Sequence, residues 1–376
     1  MIKKPYLAVF AFFIFQATSI ATEFSGTAFF SSVEWPKTDF SKRNISFAEI
    51  LSGGPPKDGI PAIDDPVFIK IDQAQHWLDD FEPVISVEIN GNVRAYPLQI
   101  LMFHEIVNDK IDEQAISITF CPLCNTSIVF SREVDGKRLD FGTTGRLRNS
   151  DLIMYDRQTE SWWQQFTGEA MIGFYTGSKL TELDSQIISF ENFRKHNPNG
   201  LVLSRNTGFD RQYGNNPYRG YDHIDNVPFL MQGSVDERLP PMERVLSVKL
   251  NNKRKLYPFS ALMQSTILHD NVSNAPLVIF KTGETYSVLD QSKISSSKKI
   301  PAYTVFSSQL NKETLHFYLK NGVIRDRETN SQWDIMGQST HGKLKGQQLK
   351  TVQHGIHFAF AWLAFNPDVE IYTITQ

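Results

Sequence analysis

The segment Phe120-Cys121-Pro122-Leu123-Cys124-Asn125-Thr126 holds the only two cysteines of a 376-residue chain. A C-x-x-C pair at this spacing supports three chemistries. The first is metal ligation, in which both thiolates of a tight turn face one ion. Asn125 suits such a turn because asparagine tolerates positive φ better than most residues. His104, in the upstream Phe103-His104-Glu105-Ile106-Val107-Asn108-Asp109 run, is the best third ligand. A fourth comes from water, Asp109 or a distant histidine such as His354 or His357. Two sulfurs and an imidazole suit a zinc or copper ion, and an open fourth position permits Lewis-acid work. The second chemistry is thiol-disulfide exchange with a redox partner, for which C-x-x-C is also the spacing. Against it, Asn125 to Phe130 reads as strand, where that chemistry favours a helix after the motif. The third is a plain disulfide at a strand end, with His104 a satisfied buried histidine. So small a loop would add little stability.

The elements that must position these residues begin at Pro83. Val84 to Ile89 alternates like a strand, Asn90-Gly91 is a hairpin turn, and Val93 to Tyr96 returns. Pro97 can open a helix. Leu98, Leu101, Met102, Glu105 and Ile106 follow at helical spacing, which puts His104 and Asn108 on one face. Ala115 to Phe120 then alternates like a strand and delivers Cys121.

This plan recurs. Val245 to Leu250, Asn251-Asn252 and Lys255 to Met263 repeat the hairpin and the Tyr-Pro entry, with Tyr257-Pro258 matching Tyr96-Pro97. Asp270 matches Asp109. Asp326-Arg327-Glu328-Thr329-Asn330-Ser331-Gln332-Trp333 matches Asp156-Arg157-Gln158-Thr159-Glu160-Ser161-Trp162-Trp163. Asn366-Pro367 matches Asn197-Pro198, each ending a closing helix because proline disfavours helix in the residue before it. The expectation is an α+β, strand-rich fold of two tandem copies packed together. Its parts are a signal peptide over 1–21, an irregular segment over 22–82, copy one over 83–205, a linker over 206–243 that packs across both copies, and a degenerate copy two over 244–376.

Duplication separates scaffold from function. The D-R-x-T-x-S-x-W segment occurs twice, so Asp156 and Asp326 are expected to cap turns and Trp163 and Trp333 to be core aromatics. Asp109 and Asp270 read as turn or cap residues. The thiols face Lys281 and Glu284, and His104 faces Ser265, so these features belong to one copy alone. The loop Gly145-Arg146-Leu147-Arg148-Asn149-Ser150-Asp151 also has little counterpart, and Arg146, Asn149 and Ser150 make it a candidate cofactor-binding, anion-holding loop or a solvated one.

Composition bounds the partners. Lys3 and Lys4, the apolar run Tyr6 to Phe15 and the small residues Ser19-Ile20-Ala21 read as an export signal cleaved after Ala21, giving a periplasmic or secreted protein. No later stretch reaches the roughly 20 apolar residues of a membrane span, so no integral span is expected after cleavage. A net charge of -3 with mixed signs gives no basic stripe for nucleic acid. The 28 Phe, 12 Tyr and 6 Trp can fill a large core. The partner class is an unknown small molecule or a redox protein. A non-catalytic binding module with aromatic clefts between the copies is the remaining alternative, and the sequence does not decide whether the protein is an enzyme.

Pro97 to Asp109, Thr119-Phe120-Cys121-Pro122-Leu123-Cys124, Asn149 to Thr159, Leu239-Pro240-Pro241-Met242-Glu243-Arg244-Val245 and Phe360 to Phe365 together resemble domain-of-unknown-function family 3179. The resemblance covers nearly the whole mature chain. The family usually has glycine after the second cysteine, where this chain has Asn125. The resemblance implies kinship and carries no reaction with it.

Overall fold

The computed structural model describes residues 32–251 and 253–374. The export signal expected over 1–21 lies outside them. Strands dominate and helices are short, the longest being Phe190–His196 and Ala359–Phe365.

Three sheets surround the cysteines. The first orders strands Glu182–Leu183, Thr126–Ser131, Gln114–Cys121 and Ile106–Ile111. In it the Gln114–Cys121 strand pairs on both edges, with Cys121 opposite Thr126. Its alternation is genuine, yet both faces are buried. Ile116, Ile118 and Phe120 face one side, and Ser117 and Thr119 the other, all at 0% exposure. Each buried apolar side chain of this size is worth roughly 1.5–3 kcal/mol. The polar face needs partners, and Thr119 finds them by donating to Ile128 O at 2.6 Å and accepting from Gln165 Nε2 at 2.8 Å.

The second sheet orders Leu51–Ser52, Phe141–Arg148, Asp151–Asp156, Trp162–Gln164 and Ala170–Ile172. Asn108 ties it to the first: its amide donates to Phe141 O at 2.8 Å and accepts from Phe141 N at 3.0 Å. The third sheet contains the predicted hairpin, Pro83–Ile89 with Asn92–Pro97 in the register Val84↔Pro97. Two strands flank it, Gln186–Ser189 antiparallel and Leu201–Leu203 parallel. The segment before residue 83 is less irregular than expected, since Phe68–Lys70 and Leu51–Ser52 both join sheets.

Over 244–371 comparable pairings occur. Arg244–Leu250 pairs with Lys253–Pro258 in the register Val245↔Pro258, flanked by antiparallel His354–Phe358 and parallel Glu370–Ile371. Asp156 accepts from Thr159 N at 2.6 Å and from Trp163 Nε1 at 2.9 Å, and Asp326 does the same with Thr329 N at 2.5 Å and Trp333 Nε1 at 2.9 Å. Both aspartates cap turns as expected.

Two expectations need correction. The helix after Pro97 ends at Leu101, and Ile106–Ile111 is a strand, so His104 and Asn108 do not share a helical face. Glu105, at φ 58°, turns the chain out of the helix, and the pairing of Ile106 with Thr119 takes over. Asp109 and Asp270 sit within strands rather than turns. Asp109 pairs with Arg94 at 2.6 Å, and Asp270 accepts from Tyr257 at 2.8 Å and pairs with Lys255 at 2.9 Å.

The 206–243 segment touches both halves. Tyr213 contacts His104, while Asn216 and Gly220 donate backbone N–H groups to Ser292 O and Asp290 O.

Candidate metal centre

Cys121 ends one strand and Thr126 begins the next, so the two thiols belong to the connecting turn. Asn125 N donates to Pro122 O at 3.1 Å, and Asn125 takes φ 49°, the conformation this position was expected to need. Both cysteines are free and buried. Cys121 Sγ donates to Ser150 O at 3.8 Å.

Ser150 belongs to a second hairpin turn. Asn149 and Ser150, at φ 50° and 66°, connect Phe141–Arg148 to Asp151–Asp156. That turn delivers Asp151, which is fully buried, to the thiols. Ligand atoms of Cys121, Cys124 and Asp151 lie within 4.8 Å of one another, and no other cluster of three such groups occurs among the described residues. Asp151 Oδ2 is committed, accepting from Gln164 Nε2 at 2.6 Å and from Phe166 N at 2.9 Å. A carboxylate beside two thiols, with one oxygen locked by two donors, is the form of a ligand oriented by its outer shell.

Electrostatics single out the same place. Burial raises the Asp151 carboxyl to about 7, against the pull of Gln164 and Phe166. Burial, with the nearby Asp151 charge, raises Glu105 to about 8. Burial also pushes up both thiols, Cys124 well above its ordinary range. Four potential anions therefore share one desolvated volume, and a bound cation would reverse the sign of that cost. Two tyrosines of the 206–243 segment border it. Tyr218 is raised by burial and by Glu105, and Tyr221 is raised to about 12, chiefly by burial.

The sequence-derived ligands divide accordingly. Cys121 and Cys124 are together in the cluster; His104 is not part of it. His104 Nδ1 lies 2.7 Å from Pro61 O, which only accepts, so this nitrogen carries the proton. Nε2 then accepts from the Tyr213 hydroxyl at 2.6 Å. Asp109 is spent on Arg94 and Tyr96. His357 lies between Thr126 Oγ1 and Ser247 Oγ, each at 2.9 Å, and His354 Nδ1 contacts Val352 O at 2.7 Å. In the anion-loop candidate, Arg146 pairs with Glu34 at 4.0 Å, while Asn149 and Ser150 make the turn itself.

Asp151 was missed, although its signal was present. Lys320↔Val323 is the register around Asn321-Gly322, matching Arg148↔Asp151 around Asn149-Ser150. A carboxylate therefore stands where the other half has valine.

The chain matches the family described as Protein of unknown function (DUF3179) over residues 57–369, and it belongs to that family. No curated protein and no solved structure matches it significantly.

Proposed function

We propose that this DUF3179 member binds one transition-metal ion through Cys121, Cys124 and Asp151. The observation that carries the reading is the meeting of two thiols with a carboxylate oxygen of a fully buried aspartate, their ligand atoms within 4.8 Å of one another. A sulfur, sulfur and carboxylate-oxygen set favours zinc over copper, because hard oxygen suits a borderline ion better than soft Cu(I). Cys121, Cys124 and Asp151 would hold the ion, which would supply Lewis-acid chemistry to a bound water or substrate atom. Gln164 and the Phe166 N–H would hold Asp151 in place. Thiol exchange is the weaker reading, since both thiols are buried and burial disfavours the thiolate that must attack.

The rest of the reading is organisational. The N-terminal Lys3, Lys4 and Tyr6–Phe15 pattern supports export to the periplasm or medium. No helix among the described residues is long and apolar enough to cross a membrane. The matched hairpin registers, flanking strands and Asp-Thr-Trp turns support an internal duplication in which the second half keeps the scaffold and lacks the ligands. Reconstitution with cobalt(II) tests the site. Thiolate-to-cobalt absorption should rise to one equivalent per chain and be absent in Cys124→Ser; an unchanged spectrum in that variant would refute the assignment.

A further inference from the structure

We propose that the cleft between the Phe166–Thr167 turn and the end of the Ala359–Phe365 helix binds a small oxyanion-bearing molecule, a carboxylate or a phosphate. This inference goes beyond the metal reading and does not depend on it.

A cavity of about 250 Å³ opens there. Arg148, Lys179, Lys249 and Arg254 line it with the carboxylates Glu169 and Glu182; Arg148 pairs with Glu49 at 2.7 Å and Lys179 with Glu169 at 3.5 Å, so Arg254 is the lining cation with no carboxylate partner shown. Glu182 is already engaged: both its oxygens accept from Lys249 Nζ at 2.6 Å, and one also accepts from Gln353 Nε2 at 2.6 Å. Lys249 has its pKa lowered by burial, against the pull of Glu182, with the Arg254 and Lys179 charges adding smaller contributions in the same direction as burial. Repulsion among these cations is relieved by a bound anion.

Arg254 is the cation best placed to meet it. Its guanidinium donates to Asn366 Oδ1 at 2.7 Å, and Asn366 in turn donates to Trp362 O at 3.1 Å. The guanidinium is thus steadied by a neutral amide at the helix end and keeps its full charge. A guanidinium fork matches carboxylate and phosphate oxygens in pairs. Phe166 and Phe365, stacked with centroids 4.9 Å apart, give the cleft an apolar floor.

The cleft continues inward. A small pocket of about 30 Å³, room for a single hydroxyl or amine, shares Glu182, Lys249 and Trp362 with the first. His354 lines it, and the ring is fixed by Nδ1–H donating to Val352 O at 2.7 Å. His354 Nε2 is buried without a hydrogen-bond partner. A buried acceptor left open in a cavity calls for a donor. The ligand therefore carries an oxyanion for Arg254 and a hydroxyl or amine for His354.

Calorimetric titration of the mature full chain at low ionic strength, with citrate and separately with inorganic phosphate, tests this. Saturable binding of at least one is expected, with the hydroxy acid citrate the tighter if the His354 contact is used. Arg254→Gln should weaken it about tenfold. Lys179→Gln, a surface change, should weaken it less, and Lys345→Gln, on an exposed loop, should leave it unchanged. Absence of saturable heat with both anions, or equal affinity in the Arg254→Gln and Lys345→Gln proteins, would overturn the proposal. Metal content measured on the same samples keeps this outcome separate from the fate of the metal reading.

Discussion

The backbone N–H of Phe358 donates to the carbonyl oxygen of Cys124 at 2.9 Å. A strand of the second half thus closes directly on the cysteine turn of the first. The next residue inward extends the join. Thr126 Oγ1 donates to the same Cys124 oxygen at 3.1 Å, so it must accept from His357 Nδ1–H, at 2.9 Å. His357 Nε2 is then the acceptor for Ser247 Oγ–H, also at 2.9 Å. Ser247 Oγ also lies 3.4 Å from Gly355 O, the longer of its two contacts, and the chain runs from one half of the protein to the other.

Thr126→Val should break that chain. The valine has similar shape but leaves His357 Nδ1–H buried without an acceptor, at a cost of about 1–3 kcal/mol. Urea unfolding should show a lower midpoint with an unchanged slope, and Thr126→Ser should recover most of the loss. A Thr126→Val protein as stable as wild type would show that the hydroxyl is not the link.

His357 should make stability pH-dependent. Burial, with the Lys249 charge adding to it, lowers its pKa to about 3 from its ordinary value near 6.5. The folded state therefore resists a proton that the unfolded chain accepts. This contribution is fully present above about pH 6.5 and is lost as pH falls from there toward 3, up to about 5 kcal/mol in all. Glu82, raised to about 7 chiefly by burial, works in the opposite sense, because its contribution is lost as pH rises. Comparing the midpoints of wild type and His357→Gln across mildly acid pH isolates the histidine. The variant should show a flatter decline on acidification; parallel curves would exclude this linkage.

Asp156→Ala and Asp326→Ala should each destabilise the protein by roughly 2–4 kcal/mol, since each strips partners from a turn N–H and a buried indole N–H. Neither should change metal content. Loss of metal in Asp156→Ala with stability unchanged would move that residue from scaffold to site.

Much of this was legible before any coordinates. The Asn90-Gly91 hairpin, the helices closing before Asn-Pro and the cysteine turn follow from local chemistry: turn propensity, proline's missing N–H and asparagine's tolerance of positive φ. Asp151 was harder to see because its approach to the thiols comes from packing one hairpin turn against another, which no periodicity encodes. His104 was read on a helix that stops at Leu101, because helical spacing over Leu98 to Ile106 also fits one turn of helix followed by a strand. Ladder pairing with Gln114–Cys121 decided between them. The tyrosines around the site were equally hidden, since they sit in a segment with no regular pattern.

The most direct measurement is elemental analysis of protein purified without a metal-affinity tag, on wild type and on the Cys121→Ser, Asp151→Ala and His104→Gln variants. About one zinc per chain is predicted for wild type and for His104→Gln, with zinc lost from Cys121→Ser and Asp151→Ala. Wild-type protein without metal after zinc is supplied, or full zinc retained in a folded Asp151→Ala protein, would contradict the account.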